Sequence, residues 1–109
     1  PIDAIGCQTH GASNAPSSTL KNNIDTIVKN TGLPVYITEY DIAQADDQKQ
    51  LTQYKDHITM FMNHADIKGV TLWGYLVGAT WVANTGILKS DGTMRPAMTW
   101  LMDFLKRGN

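Results

Sequence analysis

Three short apolar runs, Ile2 to Cys7, Val35-Tyr36-Ile37-Thr38 and Gly69 to Trp73, each give way to a loop and then to a stretch with helical spacing. Strands that read as near-continuous apolar runs are buried on both faces, and a repeated strand-then-helix order makes them parallel, with helices as cover. The resulting βαβαβα pattern predicts an α/β fold. After the first run, residues 11–16 read as loop, and Ser17 or Ser18 is placed to cap a helix with Leu20, Ile24, Ile27 and Val28 on one face. Gly32 ends that helix by allowing a left-handed cap, and Pro34 forbids its continuation. The second helix opens at Asp46 or Asp47 and carries Leu51, Tyr54, Ile58, Phe61, Met62 and Ala65 at helical spacing. A long loop from Gly74 to about Thr93 follows the third strand. Pro96 then suits the first turn of a last helix, with Met98, Leu101, Met102 and Leu105 facing inward.

Three parallel strands make a poor closed unit, because both sheet edges keep unpaired backbone groups. The chain has 109 residues, whereas a (β/α)8 barrel takes about 250. It is therefore either a compact α/β domain or a piece of a barrel. The opening Pro1-Ile2-Asp3, without an initiator Met, reads as the interior of a longer protein. Hydrophobic residues at 42% mark a globular chain, and a net charge of −1 carries no nucleic-acid footprint. No apolar stretch approaches the roughly 20 residues of a membrane span. The lone Cys7 excludes an internal disulfide and a cysteine-based zinc site, and its apolar setting reads as packing. No cofactor or metal is expected, and neither nucleic acid nor membrane is expected as a partner.

The polar residues that could do chemistry all follow strands: Gln8 and His10 the first, Glu39 and Asp41 the second, Trp73 and Trp81 the third and its loop. In a parallel α/β sheet those ends converge on one face, where active sites are built. Glu39 is the only glutamate; the other nine acids are aspartates. Alone it reads as a capping or solvated acid. With Asp41 two residues on and His10 arriving from the neighbouring strand, an imidazole could bridge two carboxylates and keep Glu39 ionised and fixed, as a nucleophile requires. His57 and His64, on a helix away from the strand ends, read as structural histidines.

Ile37-Thr38-Glu39-Tyr40-Asp41-Ile42 resembles the nucleophile signature of family 10 glycoside hydrolases, mostly endo-β-1,4-xylanases. The stretch from Ile2 to His10, with its Gly-x-Gln-x-His ending, resembles that family's sixth strand, and Val70-Thr71-Leu72-Trp73-Gly74 its eighth. Arg95-Pro96-Ala97 fits the closing segment, so the likeness spans essentially the whole chain. It implies strands 6–8 of a (β/α)8 TIM barrel, residues 1–109 being a single partial domain. It implies further that Glu39 is the nucleophile of a retaining xylanase, His10 and Asp41 its supports, Gln8 a sugar ligand, and Trp73 and Trp81 the walls of the sugar pocket. Xylan is then the substrate, and secretion the expected destination. The loop departs from the common family pattern at Val77, where many members carry Asp.

Retaining glycosidases use two carboxyl groups about 5–5.5 Å apart. The family's acid/base glutamate lies in a Trp-Asn-Glu motif that is absent here. The chain alone is thus expected to be inactive and to need a complementary N-terminal barrel segment. Two other readings compete: a carbohydrate-binding module using Trp73, Trp81 and Gln8, and a self-associating barrel fragment.

Overall fold

The computed structural model describes residues 1–106. A three-stranded parallel sheet of β1 (Ile5–Cys7), β2 (Val35–Tyr40) and β3 (Ile67–Leu72) runs in sequence order, and α1 (Ser17–Thr31), α2 (Asp47–Asn63) and α3 (Pro96–Lys106) follow the strands in turn. A single 3-10 turn, Ala12–Asn14, precedes α1. The core draws on Ile24 of α1, Val35 and Ile37 of β2, Ile58 and Phe61 of α2, and Ala97 and Leu101 of α3. The opposite face of the sheet, with Gly6, Tyr36 and Thr71, lies exposed. An all-parallel sheet normally has both faces covered; here one is bare.

The expected βαβαβα order is present, with several boundaries moved. The first strand begins at Ile5, because pairing with β2 starts at Ile5 opposite Val35, and Ile2 is exposed. Pro16, not a serine, is the N-cap of α1, and no side chain caps it, while Gly32 takes the left-handed conformation (φ 67°) and donates to the Val28 carbonyl. Asp46 caps α2 by accepting from the Lys49 backbone N–H at 2.9 Å, a bond worth about 1 kcal/mol, and this bond holds its carboxyl below the usual aspartate range. Ala65 lies past the end of α2, and Met62 is exposed. In α3, Met98 and Leu101 face the core, but Met102 and Leu105 do not. Leu105 and Met62 instead rim a groove of about 330 Å³ beside the free edge of β3, floored by Ile58, Val70 and Leu72. Their apolar character belongs to a surface that this chain leaves uncovered.

The step that matters most for the site lies at the end of β2. Ile37 pairs with Val70 and Tyr40 with Leu72, so three steps along β2 match two along β3. One extra residue in a strand is a bulge, and it reverses which face the following side chains take. Val35 and Ile37 point into the helix layer, and strict alternation would send Glu39 there too. The bulge sends Tyr40 instead. Its ring is fully buried, with the rings of Tyr54, His57 and Phe61 at 5.2, 5.8 and 5.5 Å in edge contacts. The Tyr40 hydroxyl donates to His57 Nδ1 at 2.9 Å, and His57 Nε2–H donates to the Ala15 carbonyl at 2.8 Å. A carbonyl only accepts, so the proton of this neutral imidazole sits on Nε2. Burial pulls the His57 pKa down from its ordinary value.

The loop after β3 is ordered by its own backbone. Ile87 and Leu88 N–H donate to the Tyr75 carbonyl, Val77 N–H to Leu88, and Arg95 N–H to Ile87. Gly86 is required there, since a Cβ would meet the Val77 nitrogen at 2.5 Å. Arg95, buried, uses its whole guanidinium: Nε donates to Asp47, one terminal nitrogen to the Asn84 and Gly86 carbonyls, and the other to those of Gln44 and Ala45. It thereby joins the loops after β2 and β3 to the start of α2. Arg95→Met leaves those carbonyls and a carboxylate without their donor, and is expected to cost about 3–5 kcal/mol. Arg95→Lys should recover little of that, because an ammonium cannot reproduce the fork. Denaturant midpoints at unchanged m-value measure both.

Candidate active site

His10, just past β1, lies between the two acids that flank Tyr40. Its Nε2 is 3.2 Å from Glu39 Oε1, and its Nδ1 is 3.2 Å from both oxygens of Asp41. Glu39 and Asp41 flank Tyr40 past the bulge, and strand alternation turns both toward the same ring while Tyr40 between them points the other way. Asp41 is buried, whereas the Glu39 side chain keeps 17% exposure and His10 keeps 22%. Glu39 is therefore the acid that an incoming molecule can touch.

With both acids ionised, each ring nitrogen must carry a proton to donate, so the arrangement calls for an imidazolium. Burial opposes that charge on His10, but the hydrogen bonds it donates to Asp41 and Glu39, with their negative charges, outweigh it and raise the His10 pKa above its ordinary value. The hydrogen bond from the ring fixes the Glu39 rotamer. A carboxylate of this kind can act as a nucleophile.

Both tryptophans close on the same ring. The His10 ring lies 4.7 Å from that of Trp81 and 6.3 Å, edge-on, from that of Trp73. The Trp81 indole N–H donates to Asp41 Oδ2 at 2.6 Å. Trp73 and Trp81 remain 46% and 61% exposed, and a recess of about 280 Å³ lies among Trp73, Gly74, Ala79, Thr80 and Trp81. Two flat apolar surfaces beside an accessible carboxylate suit the C–H faces of a sugar ring. Gln8 is exposed just beyond β1 and makes no hydrogen bond to the cluster. Cys7 packs against the core, and burial pushes its thiol pKa up, away from reactivity. Among the described residues no cluster has metal-binding geometry.

The model of glycosyl hydrolase family 10 matches residues 1–104. The chain belongs to that family. It is 45% identical over 102 residues to endo-1,4-beta-xylanase B of Cellvibrio japonicus, a match that takes in 94% of this chain and 17% of the relative. Native xylanase 10B of Thermotoga maritima superposes with a TM-score of 0.77 at 19% identity, over 99% of this chain and 38% of that one. Xylanase 10B of Thermotoga petrophila, solved with xylobiose, gives 0.73 at 16% identity, over 97% and 35%. The family 10 chain is thus part of a (β/α)8 barrel, and it spans well under half the length of these relatives.

Sequence reasoning singled out Gln8, His10, Glu39, Asp41, Trp73 and Trp81; the fold brings the last five together and leaves Gln8 without a bond to them. It missed the Trp81 bond to Asp41, the Tyr40–His57–Ala15 chain, and Arg95 as the tie between loops. For the last, a signal existed in the sequence: an arginine directly before a helix-opening proline, amid apolar residues.

His10 and His57 have opposite pH signatures. The folded pKa of His10 is raised, so its contribution to stability is complete below about 6.5 and is lost as pH climbs through the folded value. For His57 the folded pKa is depressed, so its contribution holds above about 6.5 and fades as pH falls. Imidazole ¹⁵N titrations should place the His10 midpoint above the ordinary histidine value and the His57 midpoint below it. Asp41→Asn should lower the His10 midpoint and leave that of His57 where it was.

Proposed function

We propose that this chain is the nucleophile-bearing part of a retaining endo-1,4-β-xylanase, strands 6–8 of its barrel, in which Glu39 attacks the anomeric carbon of a xylosyl unit. The observation that carries this reading is His10 held between Glu39 and Asp41, which leaves one fixed and accessible carboxylate at a strand end. Attack forms a glycosyl-enzyme ester, and hydrolysis of that ester by water returns Glu39 with net retention. Trp73 and Trp81 wall the reacting sugar, and Gln8 donates to it from the β1 side.

The general acid that protonates the leaving oxygen belongs to the segment that completes the barrel. The bare sheet face, the free edge of β3 and the groove rimmed by Met62 and Leu105 are the surfaces that this segment covers. Where it is missing, the same surfaces favour self-association. Xylan is a cell-wall polymer, so the complete enzyme acts after secretion. A binding-only barrel piece that uses the exposed tryptophans needs no buried Asp41 paired with an imidazolium, and this disfavours that second reading.

The isolated chain is expected to release no reducing sugar from xylan, since loss of general acid help alone costs about 10²–10⁴ in rate. In a barrel restored with the complementary segment, Glu39→Ala should abolish hydrolysis. His10→Asn and Asp41→Asn should each cost about 10–100-fold through lost charge-assisted hydrogen bonds. Trp73→Ala should weaken sugar binding and turnover together. With azide and an activated aryl xyloside, Glu39→Ala should yield a glycosyl azide of inverted configuration. If Asp41→Ala forms that product instead and Glu39→Ala keeps full activity, the nucleophile is misassigned.

A further inference from the structure

We propose that Trp81 is a positioning residue for the Asp41–His10–Glu39 relay, acting through its indole N–H as well as through its ring. A pocket wall needs only the flat face of an aromatic ring. Trp81 does more: Nε1–H meets Asp41 Oδ2 at 2.6 Å, the shortest bond in the cluster, while the ring leans over His10 at a centroid distance of 4.7 Å and an angle of 57°.

Asp41 depends on that donor. Its side chain is buried, and its two oxygens share a single His10 N–H at an equal 3.2 Å. A bifurcated bond of this length leaves the carboxylate free to rotate about χ2. The indole N–H, in a charge-assisted bond to one of the two oxygens, removes that freedom and keeps the carboxylate facing Nδ1. His10 then holds its own plane, and its Nε2 stays aimed at Glu39.

Two segments converge on the imidazole: the end of β2 with Glu39 and Asp41, and the β3–α3 connection with Trp73 and Trp81. The sugar wall and the charge relay therefore share a residue. A displacement of the loop carrying Trp81 is felt at the nucleophile even when no sugar contact is lost.

This inference rests on Glu39 being the working carboxylate, and its test separates the two. Trp81→Phe keeps a flat ring and deletes the N–H. In the restored barrel it is expected to lower kcat about 10- to 100-fold, the range set by one hydrogen bond to a charged group, with KM changed less than about twofold. In an Asp41→Asn background the same substitution should cost almost nothing further, since the bond it removes is already weakened. A Trp81→Phe enzyme with wild-type kcat, or losses that simply add in the double variant, would overturn the proposal. A readout independent of activity uses the intact 109-residue chain: the Trp81 indole N–H resonance should lie downfield and move upfield on Asp41→Asn. An unmoved resonance would also overturn it, whether or not Trp81→Phe folds. Should Glu39→Ala retain activity, the functional reading falls while the indole resonance and the bond it reports still stand.

Discussion

Where Glu39 and Tyr40 point is decided by one extra residue between Ile37 and Tyr40. Without it, period-two alternation would turn the only glutamate into the helix layer, where Val35 and Ile37 already lie, and would turn a tyrosine out toward the bare face of the sheet. A bulge is an unpaired irregularity and needs something to hold it. Here Tyr40 supplies that hold: its ring is clasped by Tyr54, His57 and Phe61, and its hydroxyl is anchored through His57 to the Ala15 carbonyl. Packing energy in the helix layer thus keeps a charged group aimed the other way. The same His57 contact ties the segment after β1, which delivers His10, to the strand that delivers its two acids.

This explains what could and could not be read along the chain. The strand-helix alternation, the Gly32 cap and the Asp46 helix start were legible because they rest on local chemistry: side-chain period, left-handed backbone, a carboxylate near free N–H groups. The grouping of His10 with Glu39 and Asp41 was legible because parallel strands deliver their ends to one face. The bulge was not legible, since an inserted residue leaves no trace in a run as uniformly β-forming as Val35 to Tyr40. Met102 and Leu105 read as core because helical spacing cannot distinguish a face buried within this chain from one left for other parts of a barrel. Ser17 and Ser18 read as caps by residue type alone, but Pro16 holds the capping position.

The long loop after β3 was expected as a connection and proved to be a built structure. Its path is fixed by backbone bonds around Tyr75, Ile87 and Leu88, by the absence of a side chain at Gly86, and by Arg95 beneath it. Gln50 adds to this, donating from α2 to the carbonyls of Ile42, Asn84 and Gly86. Polar groups buried in this way are satisfied only when both loops are in place. The apolar body of Trp81 is thereby carried on a hydrogen-bonded base although most of its surface faces solvent.

Arg95 has a consequence for how the molecule comes apart. Its fork spans the β2–α2 loop, the β3–α3 loop and the first turn of α2, so none of the three can open alone without stranding charge or carbonyls. Surface loops ordinarily exchange their amide hydrogens through small independent openings. Around this guanidinium such openings are expected to be linked, so that hydrogen exchange of the amides near Gln44, Gly86 and Ile87 should proceed together with that of the start of α2.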